Sequence, residues 1–210
     1  MPGTPDLFGT SSLQTLAIAG ADIQWMPALF NQTEAAALFA TLSTSIAWRQ
    51  EEILIFGKRV PQPRLTAWHG EADAYYQYSG LPLTPLPWTE VLLQIRRRVE
   101  EATHARYNSV LLNLYRDGND SMGWHSDDEP ELGDEPVIAS LSFGQTRVFQ
   151  IKPKKRDGGK IARIELSSGS LLVMRGQTQR NFVHAVPKSS RVHAARINLT
   201  FRMIAPSGAA

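Results

Sequence analysis

From residue 109 to residue 204 the chain is a succession of short β-type runs separated by Gly, Pro and polar turns, and this spacing restricts it to a small set of sheet architectures. The runs are Val110 to Tyr115, Val137 to Phe143, Val148 to Lys152, Ile161 to Leu166, Leu171 to Arg175, Phe182 to Val186 and Arg196 to Ile204. Many short strands at such intervals indicate a sandwich or jelly roll. The last run alternates strictly, with Arg196, Asn198, Thr200 and Arg202 on one face and Ile197, Leu199, Phe201 and Met203 on the other. It therefore reads as a half-buried strand with a cationic face. Val110 to Tyr115 alternates too, setting Asn113 and Tyr115 opposite Val110, Leu112 and Leu114.

Two helices precede this region. Thr33 to Leu42 has helical spacing of Leu38, Phe39 and Leu42, with Asn31 or Thr33 as its cap. Trp88 to Thr103 places Val91, Leu92, Ile95 and Val99 on one face and turns Arg96 to Arg98 mainly outward. Glu52 to Val60 reads as two short strands meeting at Gly57. At 210 residues and 42% hydrophobic content, with no linker-like shift in composition, one domain is expected. It divides into an N-terminal arm (1–20), a helical and lid region (21–108) and a β core (109–204). The formal charge of +2 is uneven: 117–135 holds eight acidic residues and no Lys or Arg, leaving +10 on the rest. A basic body around an acidic stretch suits a polyanionic partner with a cationic reaction centre. With no cysteine, no secretory leader pattern and no apolar run of membrane-spanning length, an intracellular protein is expected.

The chemistry concentrates at Met122 to Pro130. On a strand or strand end, His125 and Asp127 point to the same face and can hold one ion between them. His184, in another β-type run, supplies a third ligand if the sheet brings the two together. Two His and one carboxylate on one face of an octahedral ion leave three positions open, the arrangement of non-haem Fe(II) oxygenases. Without that third ligand, the pair is an acidic turn in solvent. Arg196 and Arg202, with amide and hydroxyl donors between them, suit a small dicarboxylate, or else belong to an edge strand facing water.

Asn113-Leu114-Tyr115, His125-Ser126-Asp127, His184 and Arg196-x-Asn198-x-Thr200-Phe201-Arg202 together resemble the AlkB family of Fe(II)- and 2-oxoglutarate-dependent dioxygenases. Pro63 to Trp68, Trp124 to Pro130 and Ala139 to Gly144 are most similar to the branch that repairs alkylated nucleic acid. The resemblance implies a mainly β fold with flanking helices, a double-stranded β-helix core and a nucleotide-recognition lid. It implies Fe(II) on His125, Asp127 and His184, with O2 and 2-oxoglutarate as co-substrates. Arg202 and Asn113 would lie near the keto-acid end, and Arg196, Tyr115 and Asn198 would hold the distal carboxylate. Tyr76 and Tyr78 would line the base pocket, and Glu129 would meet an exocyclic amine. Asp128 beside it would favour a cationic base such as 1-methyladenine or 3-methylcytosine. Phe56 at a hairpin tip, flanked by Lys58 and Arg59, would act as a wedge in a base stack, or is a buried strand end. Arg64 belongs to the expected substrate contacts. The implied partner is alkylated DNA, single- or double-stranded, or RNA, bound by a monomer with no membrane attachment. Competing readings are the same iron chemistry on RNA or protein, a non-catalytic jelly-roll binding module, and a zinc hydrolase; neither of the last two needs a dicarboxylate clamp.

Overall fold

The computed structural model describes residues 12–55, 57–74, 76–78, 81–155 and 160–205. In chain order the first elements are β1 (Gln14–Thr15), β2 (Asp22–Met26), α1 (Gln32–Ser45), β3 (Glu52–Ile55), β4 (Lys58–Pro61), β5 (Leu65–Gly70), β6 (Tyr76–Tyr78), β7 (Leu81–Leu83) and α2 (Glu90–Thr103). The core follows with β8 (Ser109–Tyr115), β9 (Met122–His125), β10 (Ile138–Gly144), β11 (Arg147–Pro153), β12 (Ala162–Leu166), β13 (Leu171–Arg175), α3 (Thr178–Asn181), β14 (Phe182–Val186) and β15 (Arg196–Arg202).

A seven-stranded sheet runs β1-β2-β13-β10-β15-β8-β5, and a four-stranded sheet runs β12-β11-β14-β9. Every pairing in both is antiparallel. This is the jelly roll expected from the strand spacing, with hairpins β3–β4 and β6–β7 outside it. Gly57, at φ +78°, makes the turn between β3 and β4, a backbone region costly for residues with a Cβ.

Strict alternation gives the large sheet two different faces. Ile197, Leu199 and Phe201 of β15, Val110 and Leu112 of β8, and Leu141 and Phe143 of β10 pack with Leu92, Ile95 and Val99 of α2 and Ala35 and Leu42 of α1. A second core between the sheets joins Ile138, Leu172 and Met174 to Phe149, Ile151, Phe182 and Val186. Burial of such side chains contributes roughly 1.5–3 kcal/mol each before entropy is charged against it. α1 begins at a capping box: Asn31 accepts from the Glu34 amide, and Glu34 accepts from the Asn31 amide, both at 2.9 Å. α2 is capped by Thr89, whose hydroxyl accepts from the Leu92 amide, and by His104 in the left-handed region, φ 52°.

β15 lies between β10 and β8, which decides against the alternative of a solvent-facing edge strand for its arginines. One sequence expectation needs correction. Residues 14–15, placed by sequence in a terminal arm, pair with β2, and both β2 and β5 join the large sheet. Both strands fall within 21–108, the stretch expected to hold the helices and the lid.

Candidate metal centre

The register of the small sheet brings the ligands together. His184 on β14 stands directly opposite His125 on β9, and opposed residues on neighbouring strands share a face. Asp127 follows two residues after His125, just past the end of β9. One donor atom from each of the three side chains lies within 4.8 Å of the others. His125 Nε2 is 3.9 Å from Asp127 Oδ1, and His184 Nε2 is 3.9 Å from Asp127 Oδ2. These separations exceed a hydrogen bond, so the donors face a common point rather than one another.

The protonation of the set favours a cation. His125 Nδ1 lies 2.9 Å from the Gly123 carbonyl, which can only accept, so the proton belongs on Nδ1 and Nε2 presents its lone pair. Burial pushes the His184 imidazole down to about 4, helped by His125 nearby, which leaves it neutral at physiological pH. Burial alone would raise the Asp127 carboxyl, but the Arg202 guanidinium and the two imidazoles hold it below the usual carboxylate range. Arg202 Nη2 donates to Asp127 Oδ1 at 2.8 Å.

The triad opens into a cavity between the sheets. Asn113, Tyr115, Arg196, Asn198 and Arg202 line it with the three ligands, as do Ser140 and Met174. Arg196 is 1% exposed. Its Nη2 donates to Ser142 Oγ at 2.9 Å, while Nε and Nη1 have no hydrogen-bond partner among the described residues. Burial pushes this guanidinium down to about 10. Arg202 Nε is likewise buried and unpartnered. Orphaned guanidinium donors in a closed cavity are costly unless an anion meets them, and a dicarboxylate has the right chemistry to do so. The residues present therefore fit both an iron ion and 2-oxoglutarate.

The remaining expected residues are dispersed. Arg64, expected among the substrate contacts, is 9% exposed and donates Nε to Asn113 Oδ1 at 2.8 Å, supporting an amide that lines the cavity. Lys58 is exposed on β4. Tyr76 and Tyr78 pair with Leu83 and Leu81 in a hairpin, and Phe56 lies outside the described residues. Asp128 is exposed and ion-paired to Lys154 at 2.7 Å, a hydrogen bond that lowers its carboxyl pKa. Glu129 Oε2 is buried without a partner among the described residues. Sequence reasoning missed Gln179, whose Oε1 accepts from the Asp127 amide at 2.9 Å.

The profile of the 2OG-Fe(II) oxygenase superfamily matches residues 22–202. Alpha-ketoglutarate-dependent dioxygenase alkB homolog 3 of Bos taurus is 44% identical over 188 residues, which are 86% of this chain and 65% of that protein. The chain thus spans just under two thirds of that relative's length. DNA oxidative demethylase ALKBH2 of Mus musculus is 40% identical over 188 residues, covering 85% of this chain and 79% of that one. The solved structure of OsALKBH1 superposes with a TM-score of 0.61 at 16% identity, over 91% of this chain and 99% of the other, and so shares the fold. Both the superfamily match across nearly the whole described core and the identity to these relatives make the chain a member of the AlkB family of Fe(II)- and 2-oxoglutarate-dependent oxygenases.

Proposed function

We propose that the protein is an oxidative demethylase that repairs N-alkylated bases, 1-methyladenine and 3-methylcytosine, in DNA, with RNA as the alternative substrate. The observation that carries this reading is one cavity that unites a His-Asp-His set with a buried, partly unpartnered Arg196. His125, Asp127 and His184 hold Fe(II). Arg202 and Asn113 take the keto-acid end of 2-oxoglutarate, and Arg196, Tyr115 and Asn198 the distal carboxylate. When bound, iron, 2-oxoglutarate and O2 would supply an oxidant that hydroxylates an N-methyl carbon, one oxygen atom going to succinate as 2-oxoglutarate loses CO2 and the other to the methyl group, which leaves as formaldehyde.

The chain's own contribution is positioning and charge. Arg202 pins one Asp127 oxygen, so the carboxylate is oriented before an ion arrives. Arg64 accounts for one Asn113 oxygen and leaves that amide's N–H groups for the co-substrate. Asp128 and Glu129 favour cationic alkylated bases over neutral ones, and the unpartnered Glu129 oxygen is a suitable acceptor for an exocyclic amine. Tyr76 and Tyr78 stack the extruded base, Lys58 meets a phosphate, and Phe56 takes the space the base vacates. The hairpins β3–β4 and β6–β7, outside the two larger sheets, then present substrate to the core, which β2 and β5 help to build. No helix among the described residues is long and apolar enough to cross a membrane. The proposed nucleic-acid substrate goes with a monomer acting in the cytoplasm or nucleus.

The test has two steps. Anaerobic Fe(II) with 2-oxoglutarate is expected to give a weak visible charge-transfer band, and a protein without that band is a binding module or a zinc enzyme. Formaldehyde release is then measured on matched single- and double-stranded oligonucleotides carrying 1-methyladenine or 3-methylcytosine. A band without formaldehyde from DNA or RNA would keep the iron chemistry and overturn the substrate.

A further inference from the structure

We infer that Gln179 is the positioning residue of the carboxylate ligand, fixing the main chain at Asp127 so that its oxygens face the same point as the two imidazoles. The inference rests on the reading of His125, Asp127 and His184 as a metal site. Gln179 is 2% exposed and sits in the short helix α3. Its Oε1 accepts the Asp127 N–H at 2.9 Å across 52 residues of chain. Its Nε2 lies 3.2 Å from Met174 Sδ, a weak acceptor. Those two neighbours determine the orientation of the amide. Flipped, it would set its NH2 donors against the Asp127 N–H and leave a buried donor unsatisfied.

The position of α3 gives this bond its consequence. The helix runs directly into β14, which carries His184. One short segment thus places His184 through the chain and Asp127 through a side chain. Arg202 holds the Asp127 carboxylate from β15, while Gln179 holds its backbone from α3. Asp127 is thus held at its side chain by Arg202 and at its main chain by Gln179, and its two oxygens stand 3.9 Å from the two imidazoles. Gln179 is absent from the residues lining the cavity, so it acts through Asp127 and not on co-substrate or base.

The neighbouring Thr178 supplies the control. Its Oγ1 accepts from the Asp22 amide at 2.9 Å and donates to the Asp22 carbonyl at 3.2 Å, docking the same helix on β2 without touching Asp127. Metal-free wild type, Gln179→Met, Gln179→Asn and Thr178→Val are titrated with Co(II) by calorimetry, and their melting temperatures are recorded with and without the ion. Gln179→Met keeps the length and removes the acceptor; Gln179→Asn keeps the amide and shortens its reach. Both are expected to bind Co(II) about 10–100-fold more weakly, with a correspondingly smaller metal-induced rise in melting temperature. Thr178→Val is expected to melt earlier without metal yet bind Co(II) as the wild type does. Wild-type affinity in both Gln179 variants, or an equal loss in Thr178→Val, would overturn the assignment. Failure of the wild type itself to bind Co(II) would overturn the metal site on which it rests.

Discussion

Arg196→Met tests the dicarboxylate clamp, and the structure sets opposite signs for its effects on the free and the liganded protein. In the free protein the Arg196 guanidinium is 1% exposed and bonds Ser142 Oγ, with Nε and Nη1 unpartnered among the described residues. Holding a charge there costs stability, and exchanging buried charged groups for apolar ones of similar volume is often neutral or stabilising, by about 1–4 kcal/mol. At roughly 2–4 °C per kcal/mol for a chain of this size, the metal-free, ligand-free variant should melt at or above the wild-type temperature. Bound 2-oxoglutarate would instead meet the guanidinium with a carboxylate. Removing one partner of a buried, hydrogen-bonded charge pair costs about 2–5 kcal/mol, a loss in affinity of roughly thirty- to several-thousand-fold. The assay is a thermal melt in Co(II) over a 2-oxoglutarate series, because ligand stabilisation rises as RT ln(1 + [L]/Kd) and reports Kd without turnover. A variant that melts several degrees lower without ligand, while keeping wild-type stabilisation by 2-oxoglutarate, would show that Arg196 supports packing and that the carboxylate binds elsewhere.

Asp127→Ala should lower formaldehyde production by at least about a hundred-fold while leaving the far-ultraviolet spectrum intact, since the side chain lies past the end of β9 and outside both hydrophobic clusters. Undiminished turnover would remove the iron-site reading. In metal-free protein His184 is held down at about 4 against an unfolded value of 6.5, chiefly by burial. Between those values the unfolded chain takes up a proton that the folded one refuses, so stability falls as pH drops from 6.5 to 4, by up to roughly 3 kcal/mol. Urea titrations of wild type and His184→Gln across that window should show the slope flattened in the variant; parallel slopes would refute the buried neutral imidazole. Phe56→Ala should depress activity on methylated duplex DNA far more than on single strands, because only the duplex needs its base extruded against a few kcal/mol of stacking. Equal losses on both substrates would make Phe56 a packing residue.

The reach of sequence reasoning followed the range of the interactions. β15 was legible because each face meets a different environment, and alternation between Arg196 and Arg202 records this residue by residue. Whether its arginines face water or a cavity was not legible, because that depends on pairing with β8 and β10, segments remote in the chain. β2 and β5 escaped for a related reason. Asp22 to Met26 and Leu65 to Gly70 are short and mixed in character, and they are strands because β13 and β8 offer them open edges. His125 and Asp127 announced themselves by spacing, and His184 by lying in a β-type run. Gln179 had no such signal: a glutamine in a polar turn carries no hint of an amide 52 residues away. Arg64 was expected among the substrate contacts, and only the fold sets its Nε against Asn113.

The charge balance of the cavity narrows what can occupy it. Among its lining residues Arg196 and Arg202 stand against a single carboxylate, Asp127, which Arg202 already engages. Behind the lining, Arg147 spends its guanidinium on the carbonyls of Asp117, Asp120 and Pro187, and Arg64 donates to Asn113 and the Ser121 carbonyl. Both are cations, and Arg147 adds like charge near Arg196 instead of offsetting it. A divalent ion on the His-Asp-His set adds positive charge, so the loaded site needs more than one negative charge from its ligand. A monocarboxylate could meet the metal or Arg196, whereas a dicarboxylate can meet both. The site therefore couples its two occupants: each is held better when the other is present, and Co(II) should tighten 2-oxoglutarate binding by the same factor as 2-oxoglutarate tightens Co(II).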